Sequence, residues 1–504
     1  MIPQSGATVL SSGKGRPATA TMAVALLLAL LTGCAVGPKY HRPDAAVAPS
    51  WKEEAPWRVA NPQDSIPKGT WWNIFGDEEL ARYEAQAIKA NQTIEIARNQ
   101  LQQARASVRI TLSGLYPQLN AGLTGQRVRA SAGRPVTAGV PLARPSTNND
   151  FLIPFNLSWE ADVFGAGRRS VESANALYQA SAASLENIRL IVTSEVAADY
   201  FNLRELDAEI AVVDAAVEYQ EKALVVVDNR HDGGVASGLD VAQQETLLNS
   251  SRTQAKLLRQ QRAQFEHAIA VLVGVPASVF SIPQKPLAIA PPVVPAGVPS
   301  DVLERRPDIA QAERQMAAQN AQIGVAKAAY YPSFGISGAG GFENSVPGKI
   351  LNGPSGFWAL GANVAEAALT GGKRKAQVDF ANSAYGSAVA SYRQTTLTAF
   401  QEVEDGLSGL GVLSQAADSQ KQAVDAAQRA LTIANERYVG GLVTYLDVVT
   451  AEQILLDNQR LAAQILGQRL VTSVALVKAL GGGWDASSLQ AIHVDTTWKQ
   501  AVQP

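Results

Sequence analysis

The sequence predicts a mixed α+β membrane protein made of two structural repeats, each with a transmembrane β-hairpin and long α-helical coiled-coil hairpins. Three observations favour this fold class: a motif that occurs twice, long helix-compatible stretches without proline, and short stretches in which apolar and polar residues alternate. At 504 residues the chain could hold several ordinary domains. The duplication instead indicates one architecture built from two halves.

The duplicated motif occupies residues 230–241 and returns at 437–448. Both copies keep an Arg, a Gly-Gly pair and a Leu-Asp-Val at matching positions, and each interrupts a very long Ala/Gln/Glu-rich segment. Gly pairs between helical segments are typical of tight turns, so both copies are predicted to be tips of helical hairpins. The tip residues are Gly233, Gly234, Val235, Gly440, Gly441 and Leu442.

The long helices and the strands are predicted from a change of period. Residues 168–230 contain no proline, and at about 1.5 Å per residue they would form a rod of roughly 90 Å. The return segment, 240–273, has apolar residues at the spacing of a coiled-coil seam. Alternation with period two predicts β-hairpins at about 116–164 and about 331–368. The strand pattern alone also allows a soluble hairpin with one wet face.

The N-terminus indicates export and favours the membrane interpretation. Two basic residues precede the apolar run 22–31, which suits a signal peptide and is too short to span a bilayer. The run ends in Leu-Thr-Gly-Cys34, which resembles the bacterial lipobox. We expect cleavage before Cys34 and a covalent lipid on it, and Ala35 favours sorting to the outer membrane. Met22 is an alternative start, and a small residue that merely closes an apolar run is the alternative for Cys34.

Composition argues against nucleic-acid binding and gives little support to an enzyme. Charged residues make up 17% of the chain and the net charge is -2, so no nucleic-acid partner is expected. The four histidines share no metal-ligand spacing, the single cysteine belongs to the lipobox, and no nucleophile elbow or phosphate loop is present. We therefore expect no catalytic residues, no metal and no cofactor other than the lipid on Cys34.

The number of predicted strands requires oligomerisation. Two hairpins give four strands per chain, whereas about eight is the smallest number that closes a barrel. Three copies would supply twelve strands and twelve long helices, although the sequence does not by itself choose three.

The predicted domain organisation follows the two repeats, with each tip and β-hairpin placed as above. The boundaries are 1–33 for the signal peptide, 34–75 for a lipid-anchored extended segment, 76–274 for repeat 1, 275–300 for a Pro-rich joint, 301–482 for repeat 2 and 483–504 for a C-terminal tail.

Several separate motifs together resemble one family. The chain is similar to the outer-membrane efflux factors of the TolC-like superfamily, and within them to the lipoprotein branch serving resistance-nodulation-division (RND) pumps, the OprM/NodT-like group. The resemblance spans nearly the whole predicted mature chain. It is carried by the lipobox, both tip motifs, Val36-Gly37-Pro38-Lys39-Tyr40, the helix start at 72–77, the Leu-Glu-Arg-Arg-Pro-Asp-Ile at 303–309 and the segment 323–332.

The resemblance implies a homotrimeric channel-tunnel of the bacterial outer membrane, with a 12-stranded β-barrel continued by a 12-helix α-barrel into the periplasm. It implies a periplasmic adaptor and an inner-membrane RND-type pump as partners, and passive conduction of drugs or other small molecules. Two alternatives remain: the exit duct of a type I protein-secretion system, and a lipid-anchored coiled-coil scaffold that forms no pore.

The resemblance also implies a periplasmic gate at the tips. By motif, Asp447 is the candidate acid of a ring around the pore, and Tyr438 facing Asp240 is the candidate latch. Val443 stands where some family members place a basic latch residue, and Thr450 where many place a second acid, so the resemblance implies a closure that is weaker or differently charged than the family norm. For both Asp residues the alternative role is a helix cap. The Gly tips, which would meet the adaptor, have turn formation as their alternative.

Overall fold

The computed structural model describes residues 35–44, 50–52, 69–129, 131, 147–287, 289–294, 302, 305–484 and 489. The predicted signal peptide, Cys34 and most of the predicted C-terminal tail lie outside the described residues.

The elements follow the order expected for two repeats. The helices are α1 (Glu78–Ala90), α2 (Gln92–Ser113), α3 (Ala166–Asp232), α4 (Gly238–Leu272), α5 (Pro307–Ala328), α6 (Lys373–Val439) and α7 (Tyr445–Ala479). The strands are β1 (Gln118–Ala121), β2 (Thr124–Arg129), β3 (Thr147–Ala161), β4 (Ser333–Asn344) and β5 (Gly356–Ala365).

The sequence predicts one helix that begins at Asp77 and ends before Tyr116, and the structure divides this segment into two helices. Asp77 caps α1 as expected, accepting hydrogen bonds from the amides of Glu79 and Leu80. The helix then breaks at Asn91, which has extended backbone and accepts from the amides of Thr93 and Ile94 to cap α2. An Asn side chain can replace the missing bonds of a helix start. This capping explains a break without Gly or Pro.

The long hairpins of the two repeats match in length. Helices α3 and α6 have 67 residues each, and the returning helices α4 and α7 have 35 each. Each long helix packs on its own return, and α3 also packs along α7, so the two hairpins lie side by side. Among the described helices, none combines the length and apolar character needed to cross a membrane.

The strands form one antiparallel sheet that joins the two repeats. β1 and β2 pair with successive parts of β3, β3 pairs with β4, and β4 with β5, so the protomer presents four lines of strand. Within the described residues the two outer lines have a neighbour on one side only, and an open edge needs a partner strand. On β5, Trp358, Leu360 and Val364 are 80%, 76% and 65% exposed, giving an apolar outer face.

Pro154 explains why the first strand line is in two pieces. It lies inside β3 opposite the gap between β1 and β2, and it has no amide hydrogen to donate. On the other side it faces Gly341, where an added Cβ would lie 2.0 Å from the carbonyl oxygen of Ile153. Only glycine permits that close approach.

A buried core and a polar network hold the helices together at the level of the Pro-rich joint. The core includes Trp71, Trp72 and Phe75 from a short 3₁₀ turn, Trp71–Phe75. Beside it, Arg204 is 1% exposed and donates to Asp207, Glu79 and the carbonyl oxygen of Pro283, each at 2.8 Å. The joint is thus attached to this network through the backbone carbonyl of Pro283 and, from its own side, through the amide of Lys285, which donates to Asp207 at 3.1 Å.

Two of the motifs that carry the family resemblance, residues 36–40 and 323–332, contact each other. Gly37 packs so closely on Gly324 of α5 that an added Cβ would lie 2.5 Å from the Cα of Gly324. Arg169 donates through Nε to the carbonyl oxygen of Val36 at 3.2 Å, and Asn320 donates to that of Pro38 at 3.2 Å. The extended segment therefore lies along α3 and α5.

Candidate gate at the helical tips

The two tips have the same backbone geometry. Gly234 and Gly441 adopt left-handed φ angles of 72° and 70°. The next amide closes each turn: Val235 N donates to Arg230 O at 2.8 Å, and Leu442 N to Arg437 O at 2.9 Å. This is the Schellman arrangement that ends helices at glycine, so turn formation accounts for the second glycine of each pair.

The two predicted gate carboxylates are both in capping boxes. Asp240 accepts from the amide of Ser237 at 3.0 Å, and Asp447 accepts from the amide and hydroxyl of Thr444 at 3.1 and 2.8 Å. Each reciprocal pair satisfies the open amides of a helix start. Asp447 is exposed in the protomer, so its cap role leaves it accessible to a pore.

Tyr438 lies between the hairpins but does not hydrogen-bond to Asp240. Its hydroxyl is buried without a hydrogen-bond partner in the described protomer. Its ring packs on Tyr445, with centroids 4.9 Å apart, and beneath Arg230, whose guanidinium carbon is 4.9 Å from the ring centroid. Burial raises the pKa of Tyr438, and the negative Asp240 acts in the same direction. Tyr438 of the second hairpin thus contacts the first hairpin through the side chain of Arg230, not through Asp240.

Two hydrogen bonds that the sequence did not predict join the hairpins near the tips. Tyr445 of α7 donates its hydroxyl to Oε1 of Gln244 in α4 at 2.8 Å, in a buried position. Gln244 in turn donates to the carbonyl oxygen of Gln220 at 2.9 Å. Asn435 donates to the hydroxyl of Tyr219 at 2.9 Å in a more exposed position. The sequence contains one indication that Tyr445 has a role of its own: the first copy of the motif has Gly238, not Tyr, at the matching position.

An apolar cluster lies behind these bonds. Its buried members come from both hairpins: Val227, Ala427, Leu431, Tyr445, Val448, Ala451 and Leu455. Val443 and Thr450, the two positions that depart from the family pattern, are not members of this cluster. Val443 is half-buried, and Thr450 bonds to the carbonyl oxygen of Leu446 in its own helix at 2.7 Å. His231 contacts the carbonyl oxygen of Ala236 at 3.0 Å within its own turn.

A second polar contact joins α3 and α7 farther from the tips. Glu209 is 2% exposed and accepts from Arg460 at 2.9 Å and from Gln464 at 2.8 Å. Burial and the adjacent Glu209 raise the pKa of Glu205 to about 8. The hairpins are therefore held together at two separate levels. Among the described residues, no group of three or more His, Cys, Asp or Glu side chains is placed to hold a metal ion.

The model of the family described as outer membrane efflux protein matches residues 85–275 and 298–482. The chain belongs to the outer membrane efflux protein family. It is 30% identical to the probable efflux pump outer membrane protein SepC of Pseudomonas putida F1, over 94% of this chain and 98% of SepC. It is 29% identical to outer membrane protein OprJ of Pseudomonas aeruginosa PAO1, over 93% of this chain and 97% of OprJ.

Solved structures of channels share the whole fold. The outer-membrane channel OprN superposes with a TM-score of 0.82 at 27% identity, covering 90% of this chain and 100% of OprN. The Campylobacter jejuni CmeC outer membrane channel gives 0.81 at 26% identity, covering 92% of this chain and 97% of CmeC. The predicted fold class is confirmed, and with it the twelve-stranded trimer that three protomers of four strand lines supply.

These comparisons also confirm the predicted function, partners and location of the chain. It is an efflux channel of the outer membrane that extends into the periplasm and works with a periplasmic adaptor and an inner-membrane RND-type pump. The family is one of channels rather than catalysts.

Proposed function

We propose that this channel passively conducts small organic molecules and is closed at its periplasmic end by contacts between its two hairpins. Relatives are named for the efflux of toluene, solvents and antibiotics and for pyoverdine export. A duct that accepts such different compounds needs no specific pocket, which suits a chain whose polar contacts hold helices together. The observation that carries the gate is the set of bonds and ring contacts between α6 or α7 and the first hairpin.

Within this gate Asp447 is the candidate ring acid. Three such carboxylates near one axis would repel one another and favour cations at the constriction. Tyr438 and Asp240 remain the proposed latch, with Arg230 as the side chain that Tyr438 contacts. Replacing Tyr438 and Asp240 together is expected to raise single-channel conductance in a planar bilayer. Conductance equal to that of the unmodified channel would remove the latch.

The tips are the proposed docking surface for the adaptor. Val235 and Leu442 are 69% and 72% exposed in the protomer. Apolar side chains held on rigid turns at the end of a helical hairpin are suited to a protein partner. We expect Val235→Ser combined with Leu442→Ser to reduce efflux in cells while leaving bilayer conductance unchanged. Normal efflux in cells would contradict docking at these residues.

Cys34 is the proposed lipid anchor, and the residues that follow it support this role. Ala35 packs on Gly165, where an added Cβ would lie 2.8 Å from the Cα of Ala35. Val36 donates to the carbonyl oxygen of Phe164 at 3.1 Å, just after β3 ends. A lipid attached to Cys34, the residue before Ala35, would therefore begin beside the sheet. Cys34→Ser should abolish incorporation of labelled palmitate, and undiminished labelling would refute the anchor.

A further inference from the structure

A groove lies between the two hairpins, near the tips, where α3 meets α6 and α7. Its volume is about 580 Å³, within the range of small-molecule sites. The walls are mainly Ala, Val and Leu side chains, including Val212 from α3, Val424 from α6 and Leu456 from α7. None of the described residues that line it is Lys, Arg or His. The groove is thus apolar and offers nothing to balance a negative charge.

Glu452 of α7 is the one carboxyl group in this groove. The residue is 5% exposed, and neither of its carboxyl oxygens has a hydrogen-bond partner in the described protomer. Burial raises the pKa of Glu452 to about 7. Its titratable neighbours are tyrosines, Tyr219 on α3 and Tyr445 on its own helix. α6 contributes only non-titrating residues, among them Gln428. A buried carboxyl without a partner is costly, and it is rare without a reason.

The chemistry of a suitable ligand follows from these two features. An ammonium group supplies both the positive charge and the N–H donors that Glu452 lacks, and its desolvated pair with a carboxylate is strong. Its apolar body would replace water along the Val, Ala and Leu walls. The ring of Tyr219 on the rim favours a cation as well. A bare metal ion does not fit, since it requires several oxygen ligands and this groove has one carboxylate.

We propose that the groove between the hairpins binds a lipophilic organic ammonium ion, with Glu452 as its counter-ion. The groove lies next to the contacts proposed as the gate and shares Tyr219 with them. Its counter-ion is distinct, because Glu452 forms none of the bonds described there.

The test measures binding of the fluorescent primary amine dansylcadaverine to the full-length protein in a neutral detergent. Its N-acetylated form, which has lost the charge, serves as the matched ligand. Glu452→Gln serves as the test variant and Glu436→Gln, at an exposed position of α6 outside the groove, as the matched control. At pH 8 we expect acetylation and Glu452→Gln each to weaken binding about tenfold or more, and Glu436→Gln to leave it unchanged.

The unmodified protein provides a second readout. Only the ionised carboxylate pairs with the amine, so a pKa of about 7 predicts binding about tenfold tighter at pH 8 than at pH 6. Equal affinity for the amine and its acetylated form, or binding independent of pH, would overturn the proposal. These two measurements decide it even where Glu452→Gln fails to assemble, and equal binding by an assembled Glu452→Gln channel would overturn it too.

Discussion

The buried bond between Tyr445 and Gln244 gives the sharpest test of the closed gate. Tyr445→Phe removes only the hydroxyl that donates to Gln244 Oε1 at 2.8 Å. Gln244 is fully buried, so its oxygen would be left without a partner whenever the hairpins are in contact. An unsatisfied buried acceptor costs about 1–3 kcal/mol, whereas water can satisfy it once the hairpins separate. The closed state therefore loses roughly 5- to 150-fold in population relative to the open state.

Single-channel recording in a planar bilayer measures this population directly. Tyr445→Phe should increase the fraction of time spent in high-conductance states, without changing the conductance of the fully open channel. Tyr219→Phe is the matched control, since it removes the hydroxyl that bonds to Asn435 at 2.9 Å in an exposed position. Water replaces that bond, so its effect should be small. An unchanged open fraction in Tyr445→Phe, or a larger effect in Tyr219→Phe, would refute the reasoning.

Three other predictions concern stability and selectivity. Arg204→Ala should destabilise the fold by about 3–5 kcal/mol, because it breaks the buried ion pairs with Asp207 and Glu79 and removes the donor to the carbonyl oxygen of Pro283. Arg82→Ala, at a side chain 67% exposed, should cost no more than about 1 kcal/mol in the same thermal unfolding measurement. Asp447→Asn keeps an oxygen that accepts hydrogen bonds in the capping box and removes the negative charge. The reversal potential in a salt gradient should therefore shift toward lower cation selectivity, and Asp240→Asn should shift it less. Equal shifts in the two variants would contradict the ring of Asp447 carboxylates. Glu205 has a pKa of about 8 in the folded protein, so its contribution to stability is complete below its unfolded pKa and is lost as pH rises through about 8. The thermal midpoint should therefore fall over this pH range, and Glu205→Gln should flatten the fall. An equal fall in both proteins would contradict this prediction.

Local chemistry made much of the fold predictable from the sequence. The two turns require left-handed backbone at Gly234 and Gly441, which glycine adopts readily. Asp240 lies three residues after Ser237 and Asp447 three residues after Thr444, and each pair forms a capping box. Both effects act within one turn of chain. The period of the apolar residues likewise predicted four strand lines and long helices, because burial follows that period.

The features that the sequence left hidden depend on partners far away in the chain. Tyr445 and Gln244 are 201 residues apart. The difference between Tyr445 and Gly238 in the two motif copies marks one end of the bond, but nothing in the sequence indicates Gln244 as its partner. Glu452 looks like an ordinary polar residue of a helix until α3 and α6 cover it. The break at Asn91 is hidden for a different reason, since an Asn within a helical pattern is a weaker signal than Gly or Pro. Burial and pairing between hairpins are tertiary properties.

The equal lengths of the two hairpins restrict how such a chain can change in length; each hairpin has two arms, α3 and α4 in the first and α6 and α7 in the second. Because each long helix has 67 residues and each return helix has 35, the two turns lie at the same distance from the sheet. Losing one heptad from both arms of a single hairpin would draw its turn back by about 10 Å. Insertions and deletions in these arms are therefore expected to be tolerated in sets of four, one in every arm.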